Sequence, residues 1–337
     1  MQQLLNGELA TPEIVRLLLA LNARAIRAEE LLGFALAMRR RGAPVFPAGS
    51  APPGHLVDTC GTGGDGADTF NISTAAAIVA AAAGARVAKH GNRSSSSRSG
   101  SADVLEALGV RIDIPLEHAG RAIREIGIGF LFAPAAHSAA RHAAAARKQI
   151  GVRTIFNLLG PLTNPAGARA QLLGVFSLQV LETVAEALAQ LGVERAFVVH
   201  GAGGLDEISL AGESAIAEVR AGKIRRYTVT PDTFGVPAAP LEKIPGGSPQ
   251  ENARIIGSIF AASNSEPAMI APARNIVIVN AAAALVAAGL AEDFRRAAAI
   301  AGDAIYSGEA RAKLAELAAF TQAYPPRGQL SSTTSTS

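Results

Sequence analysis

The stretch Asp58 to Thr74, DTCGTGGDGADTFNIST, places Gly61, Gly63, Gly64 and Gly66 around Asp65 and closes on Asn71-Ile72-Ser73-Thr74. Gly61 to Gly66 satisfies Gly-x-Gly-x-x-Gly, the dinucleotide fingerprint, but that reading makes two further demands. A helix should open at the last glycine, and an acid should stand about 20 residues on, at the end of the next strand. Here eight residues, ADTFNIST, precede the helical pattern, and the next strand ends in Lys89 and His90. What survives is anion chemistry. Closely spaced glycines let backbone N–H groups approach a phosphate, and Ser73 and Thr74 are expected at the N-cap of the following helix, whose dipole favours the same charge. Asp65, an acid among such elements, is expected to meet hydroxyls, ammonium groups or a metal.

A second cluster, KHGNRSSSSRSGSAD, sets Lys89, Arg93 and Arg98 among four consecutive serines, Asn92 and two glycines. Small donors beside cations suit a polyphosphate, which needs neutralisation and many hydrogen bonds. A third, VVHGAGGLDEIS, carries Asp206-Glu207 in a loop after an apolar run. Adjacent carboxylates in a loop can hold hard cations, and Mg2+ is the natural bridge between carboxylates and phosphates. The alternative, a solvated surface pair, loses weight beside two phosphate-type loops.

Elements able to position these loops can be read around them. Strands are expected at Leu56–Asp58, Arg86–Lys89, Gly129–Phe132, Gln171–Phe176 and Ala196–Val199, with helices between them at about Ala75–Ala83, Ala102–Leu108, Ala119–Ile126, Ala135–Gln149 and Leu178–Leu191. This alternation implies an α/β fold with a central, mainly parallel sheet flanked by helices. Each loop then falls at the C-terminal edge of the sheet, where such folds bind ligands. SAIAEVRAGKIRRYTVT reads as a hairpin turning at Ala221-Gly222, and helices are expected from Asn252 to about Ala323. Thr11-Pro12-Glu13 reads as a helix start, with Thr11 as the cap and Pro12 next. A second helix over about Ala28 to Arg40 completes a small helical domain over residues 1–45, before the linker GAPVFPAGSAPPG. Helices from about 133–150 are expected to join that domain; the α/β domain spans 54–325, and 326–337 read as a flexible tail.

The chain has 337 residues, 49% hydrophobic and 18% charged, with no Trp and one Cys. That is a globular composition with a core of Ala, Val, Leu and Ile. A single Cys60 excludes a disulfide framework and a cysteine zinc site. A net charge of +3 is a poor footprint for nucleic acid. The start MQQLLNGELA lacks the basic and apolar regions of a secretory signal, and the apolar stretch Ile276–Ala291 is shorter than the roughly 20 residues a membrane span needs. The expectation is a soluble cytoplasmic protein with neither nucleic acid nor membrane as partner.

Together, DTCGTGGDGADTFNIST, KHGNRSSSSRSGSADVLEALG, RKQIGVRTIFNLLGPLTNPA and GLDEIS resemble the anthranilate phosphoribosyltransferase family of tryptophan biosynthesis, within the nucleoside phosphorylase type II-like phosphoribosyltransferases. The resemblance covers Asp58 to Ser209. It implies transfer of phosphoribose from 5-phosphoribosyl 1-pyrophosphate to the amine of anthranilate, with Mg2+, in a homodimer whose active site lies at the hinge between the helical and α/β domains. It implies that Gly61, Gly64, Asp65 and Thr69 bind pyrophosphate, with Asn71, Ile72, Ser73 and Thr74 as a second segment in which Ser73 helps hold magnesium. Lys89, His90, Gly91, Asn92, Arg93, Ser94, Ser95, Ser96 and Ser97, with Ser101 beyond them, form the second donor loop. Anthranilate is assigned to Gly61, Asn92 and Arg147, with His90 lining the same pocket, and a second magnesium site to Asp206 and Glu207. Because the aromatic amine is neutral and nucleophilic, no dedicated base is expected; Lys89 and Arg93 are expected to stabilise charge on the departing pyrophosphate. The rival readings are a pyrimidine nucleoside phosphorylase, which would lack TFNIST and FNLLGPLTNP, and a non-catalytic nucleic-acid-binding relative, which would lose Asn92 and Arg147.

Overall fold

The computed structural model describes residues 1–47, 49–50, 52–94, 98–261 and 270–324. Ser95, Ser96 and Ser97 of the second donor loop, and the expected tail at 326–337, lie outside the described residues. The chain opens with α1 (Gln2–Asn6), α2 (Thr11–Asn22) and α3 (Ala28–Arg39). It continues through β1 (Leu56–Asp58), α4 (Ile72–Ala82), β2 (Arg86–Gly91), α5 (Ser101–Ala107), α6 (Leu116–Glu125), β3 (Ile128–Phe132), α7 (Ala133–Ala136), α8 (Ala144–Ile150) and α9 (Ile155–Leu162). After β4 (Ala170–Gly174), α10 (Leu178–Gln190) and β5 (Arg195–His200) comes the hairpin β6 (Ser214–Arg220) and β7 (Lys223–Val229). Four helices close the fold: α11 (Pro249–Phe260), α12 (Ile270–Ala287), α13 (Phe294–Tyr306) and α14 (Glu309–Gln322).

One seven-stranded sheet runs in the order β3-β2-β1-β4-β5-β6-β7. The strands β1 to β5 pair in parallel, and β6 and β7 add antiparallel to the edge. The chain winds outward from β1 to β3 and then returns to place β4 on the other side of β1. Connections therefore leave the C-terminal ends of β1 and β4 in opposite directions, which opens a crevice between them.

Period-two alternation assigns side chains to the two faces of the sheet. Phe197 and Val199 enter a core shared with α4 and α11 to α14, while Ala196 and Val198 join the opposite cluster with α1, α2, α3 and α10. Helix α4 is apolar all round, so it is buried all round. Its alanines allow α12 to lie close against it, where Ala281 to Ala284 are fully buried. Although α12 is long and apolar enough to cross a membrane, it is a core helix of this fold. At the hairpin, Ala221 and Gly222 both take positive φ (49° and 77°), the two-residue turn whose twist matches the strands it joins.

Several boundaries differ from the sequence reading. Helix α4 starts at Ile72 with Asn71 as its cap, so Ser73 and Thr74 lie within its first turn and not at its mouth. Strand β2 continues through His90 and Gly91, because five successive residues find parallel partners on β3. The cap of α2 is Ala10, whose N–H donates to the Glu13 carboxylate at 2.7 Å, so Thr11 is already helical. The helix expected over Ala135–Gln149 breaks into α7, a 3-10 segment over Ser138–Ala143, and α8. Helix α9, within the motif TIFNLLGPL, was not among the expected elements; Pro161 stands in its last turn, where it supplies no N–H to the helical ladder.

Candidate active site

At the C-terminal edge of the sheet, a cavity of about 420 Å³ gathers the loops after β1, β2 and β5 together with α8 and α9. Every described residue singled out from the sequence lines it. The first wall is the glycine loop, in which Gly63 and Gly64 adopt φ of 65° and 73°. Its contents differ from a bare anion nest, because the Gly63 N–H already donates to Asp206 Oδ2 at 2.7 Å. Asp65 accepts the N–H of Ala67 at 3.1 Å and of Asp206 at 3.2 Å, so it braces one loop against the other. Beneath both lies the end of β4. A Cβ on Gly174 would stand 1.4 Å from the Asp206 carbonyl oxygen, and the Gly174 carbonyl accepts the Thr62 N–H at 2.9 Å. Strand end, glycine loop and acid loop form one unit that only a glycine at 174 permits.

The acid pair is half-buried rather than freely solvated. Burial, reinforced by the charge of Asp65, pushes Asp206 up to about 7. Burial and the neighbouring Asp206 push Glu207 well above the carboxylate range, although the Ser73 N–H donates to it. Two adjacent carboxyl groups, with Asp65 close by and only Lys89 to offset them, suit a hard divalent ion, so Asp206 and Glu207 fit magnesium by their chemistry. Lys89 does not reach the cavity as a free cation. It is 3% exposed, and its ammonium donates to Thr59 Oγ1 at 3.2 Å, the Thr59 carbonyl at 3.4 Å and Ser73 Oγ at 3.5 Å. The charge therefore lies under the floor, among Asp58 and Glu207.

The second donor loop is also arranged differently from expectation. Arg93 does not present its guanidinium to the cavity, because Glu106 accepts it at 2.6 and 2.8 Å and Asp103 at 2.8 Å. It anchors the loop to α5 instead of carrying an open charge. Ser94 N donates to the same Asp103 carboxylate at 3.0 Å. Ser101 Oγ donates to the Asn92 carbonyl at 3.2 Å, and Asn92 Oδ1 accepts the Arg93 N–H at 2.8 Å. Asn71 is likewise engaged, as its Oδ1 accepts from Ser99 Oγ at 3.0 Å and Asn252 Nδ2 at 2.9 Å. Thr69 forms an isolated bridge to Pro245.

The far end of the cavity has the opposite character. Arg147 is half-buried, its guanidinium 5.3 Å over the Phe156 ring, and no carboxylate among the described residues pairs with it. Burial pulls its pKa down, the mark of a cation lacking a counterion. His90 Nδ1 donates to the Gly160 carbonyl at 3.1 Å. Burial, with His137 and Lys89 adding to it, holds His90 neutral down to about 3, and its Nε2 has no hydrogen-bond partner. His137 packs edge-on at 5.3 Å and donates from Nε2 to the Thr163 carbonyl at 2.8 Å. Asp58, Cys60 and His90 bring ligand atoms within 4.8 Å of one another. That trio is poorly suited to a metal: Asp58 already accepts from His90 N at 3.1 Å and Asn164 Nδ2 at 2.7 Å, and burial drives the Cys60 thiol pKa upward.

Sequence reading missed Gly174, Phe156, Asn252 and the pair Gly246-Gly247. Only the last left a visible signal, in IPGGSPQENA. Known proteins share this arrangement. The chain matches the glycosyl transferase family, a/b domain, over residues 53–311. It is 52% identical over 320 residues to the anthranilate phosphoribosyltransferase of Solibacter usitatus, covering 95% of this chain and 92% of that protein. Identity to the enzyme of the same name from Desulfosudis oleivorans is 51% over 317 residues, 94% and 91% of the two chains. The crystal structure of anthranilate phosphoribosyltransferase from Thermus thermophilus superposes with a TM-score of 0.87 at 46% identity, covering 95% of this chain and 93% of that one. The Saccharomyces cerevisiae enzyme, solved in complex with 5-phosphoribosyl 1-pyrophosphate and magnesium, gives a TM-score of 0.79 at 29% identity, covering 88% and 81%.

Proposed function

The chain belongs to the anthranilate phosphoribosyltransferase family, and from that premise we infer how its cavity performs the transfer. Anthranilate and 5-phosphoribosyl 1-pyrophosphate are the substrates, N-(5-phosphoribosyl)anthranilate and pyrophosphate the products. The amine nitrogen forms a bond to C1 of the ribose, the C1–O bond to pyrophosphate breaks, and the amine loses one proton. One observation carries the reading: a single cavity holds a half-buried acid pair against a glycine loop and, elsewhere on its wall, a half-buried arginine with no carboxylate partner among the described residues. The first suits a pyrophosphate arriving with a metal, and the second suits an aromatic carboxylate.

Asp206 and Glu207, with Ser73, are the groups that would hold Mg2+, the ion found with the donor in the yeast relative. Magnesium supplies neutralisation of charge on the departing pyrophosphate. The glycine loop admits the phosphates closely, and the loop from Asn92 to Ser94, anchored by Asp103, closes the side of the donor site. Arg147 donates to the anthranilate carboxylate in a fork-on-fork pair and so orients the amine. His90 stays neutral and offers Nε2 as an acceptor toward the amine side of the pocket. Its low basicity agrees with a reaction that needs no strong base, since the aromatic amine is already neutral.

The helical unit of residues 1–45, joined by the helices at 133–150, is assigned to the acceptor side; α2 and α3 share an apolar cluster with Ala143, Ala146 and α9. Exposed Leu19 and Leu36 on α2 and α3 support a homodimer through that unit, and the cytoplasm is its assigned compartment. Loss of anthranilate fluorescence with and without Mg2+ tests the activity, and light scattering tests the dimer. Turnover independent of the metal, or with another acceptor only, would overturn the assignment.

A further inference from the structure

We propose that Asn252, on α11, is a positioning residue for the donor site that acts through Asn71; the inference rests on the donor reading given above. Asn252 is 1% exposed, lies well outside the motifs that line the cavity, and yet touches two of the cavity's walls. Its Oδ1 accepts the Gly247 N–H at 2.7 Å, and its Nδ2 donates to Asn71 Oδ1 at 2.9 Å. Asn71 in turn accepts from Ser99 Oγ at 3.0 Å and donates from Nδ2 to the Ser99 carbonyl at 3.0 Å.

This chain of contacts has a direction. A backbone N–H can only donate, so Gly247 fixes which end of the Asn252 amide is oxygen. The amide nitrogen of Asn252 must then face Asn71, which fixes the Asn71 oxygen toward it and the Asn71 nitrogen toward the Ser99 carbonyl. Both lone pairs of Asn71 Oδ1 are used. The residue expected from the sequence to bind the donor is thus chiefly a hub joining the cap of α4, the segment at Ser99 and the turn at Gly246-Gly247. That turn is pressed against the donor wall: a Cβ on Gly246 would stand 2.3 Å from the Thr69 carbonyl, and Gly246 N donates to the Asp68 carbonyl at 2.7 Å. Removing the Asn252 amide lets Asn71 rotate, which uncouples the cap of α4 from the segment at Ser99 while leaving Arg147 untouched.

Steady-state kinetics of the full-length enzyme test this with Asn252→Ala, Asn71→Ala, the double variant and wild type, each with a thermal melt. Loss of a buried hydrogen bond within a network should raise the donor KM of Asn252→Ala about tenfold. The anthranilate KM should stay within about twofold of wild type, a split that general loosening of the fold would not give. The double variant should be no worse than Asn71→Ala alone, because both act on one path. Multiplied losses in the double variant, or equal rises in both KM values, would overturn the proposal. If Asn252→Ala does not fold, Ser99→Ala removes one bond to the same Asn71 oxygen and should raise the donor KM about threefold; an unchanged donor KM there also overturns it. An inactive wild type would instead refute the donor reading.

Discussion

Gly174→Ala adds one methyl group at the end of β4, and the structure states where it goes. The new Cβ falls 1.4 Å from the carbonyl oxygen of Asp206 and 2.3 Å from its carbonyl carbon, both backbone atoms that cannot rotate away. Ordinary non-bonded contact requires about 3.5 Å, so the Asp206 peptide must retreat by roughly 2 Å. The Asp206–Gly63 hydrogen bond, 2.7 Å in the native structure, does not survive a shift of that size. Over-packing of this kind costs about 1–3 kcal/mol in stability, whereas displacing reactive groups by about 1 Å costs around 10²-fold in rate. Activity should therefore collapse further than stability. Anthranilate fluorescence should report kcat/KM at least about 100-fold below wild type, with a weakened response to Mg2+. Gly257→Ala on α11 is the control, since its Cβ meets nothing within 4 Å, and it should gain about 0.5–1 kcal/mol. If Gly174→Ala keeps turnover within threefold and the same magnesium dependence, the coupling of β4 to the acid loop is wrong.

Arg147→Ala should raise the anthranilate KM about 30-fold through loss of a charge-assisted pair, with little change in the donor KM; equal rises in both would refute its assignment to the acceptor carboxylate. Glu207→Gln removes a carboxyl whose ionisation burial and Asp206 oppose, so above neutral pH its melting temperature should rise by about 2–4 °C while magnesium-dependent turnover falls; a lower melting temperature would show that the native pair is not in conflict. His90 is held neutral to about 3 by burial, against about 6.5 when unfolded. The unfolded chain therefore binds the extra proton over that range, and the stability contributed by neutral His90 is present above pH 6.5 and lost as pH falls toward 3. Chemical denaturation from pH 7 to 4 should show this loss in wild type and a flatter profile in His90→Gln; parallel profiles would count against it.

The sheet was legible because five apolar runs alternate with helical patterns, and the ligand edge followed from the rule for parallel sheets. Boundaries were read less well wherever tertiary partners decide them. His90 and Gly91 belong to β2 because β3 pairs with them, and nothing local in KHG marks a strand. Helix α9 was not legible in the sequence because Gly160-Pro161 is a poor helical pair, yet both lie in its last turn. The described residues singled out for binding all line one cavity, but how they are paired there was not legible. A lysine and an arginine beside glycines and serines look like open cations. Whether they are open depends on Glu106, thirteen residues away, and on Thr59 at the end of the neighbouring strand β1. Gly174 was invisible for a related reason: its φ is ordinary, and its necessity comes from a loop more than thirty residues later in the chain.

That correction changes the electrostatic account of the donor site. If Lys89 and Arg93 pointed into the cavity, they could neutralise a pyrophosphate directly. In the structure Arg93 is matched by two carboxylates, and Lys89 serves the buried acids below the floor. The wall that faces the donor carries Asp65, Asp206 and Glu207 against backbone N–H groups, one of which Asp206 already holds. Such a wall repels a bare pyrophosphate and accepts one whose charge is already met by a divalent ion. On the proposed reading, the same carboxylates that disfavour the free anion favour the metal-bound form, and their raised pKa values reflect the burial and neighbouring negative charge they meet in the free protein.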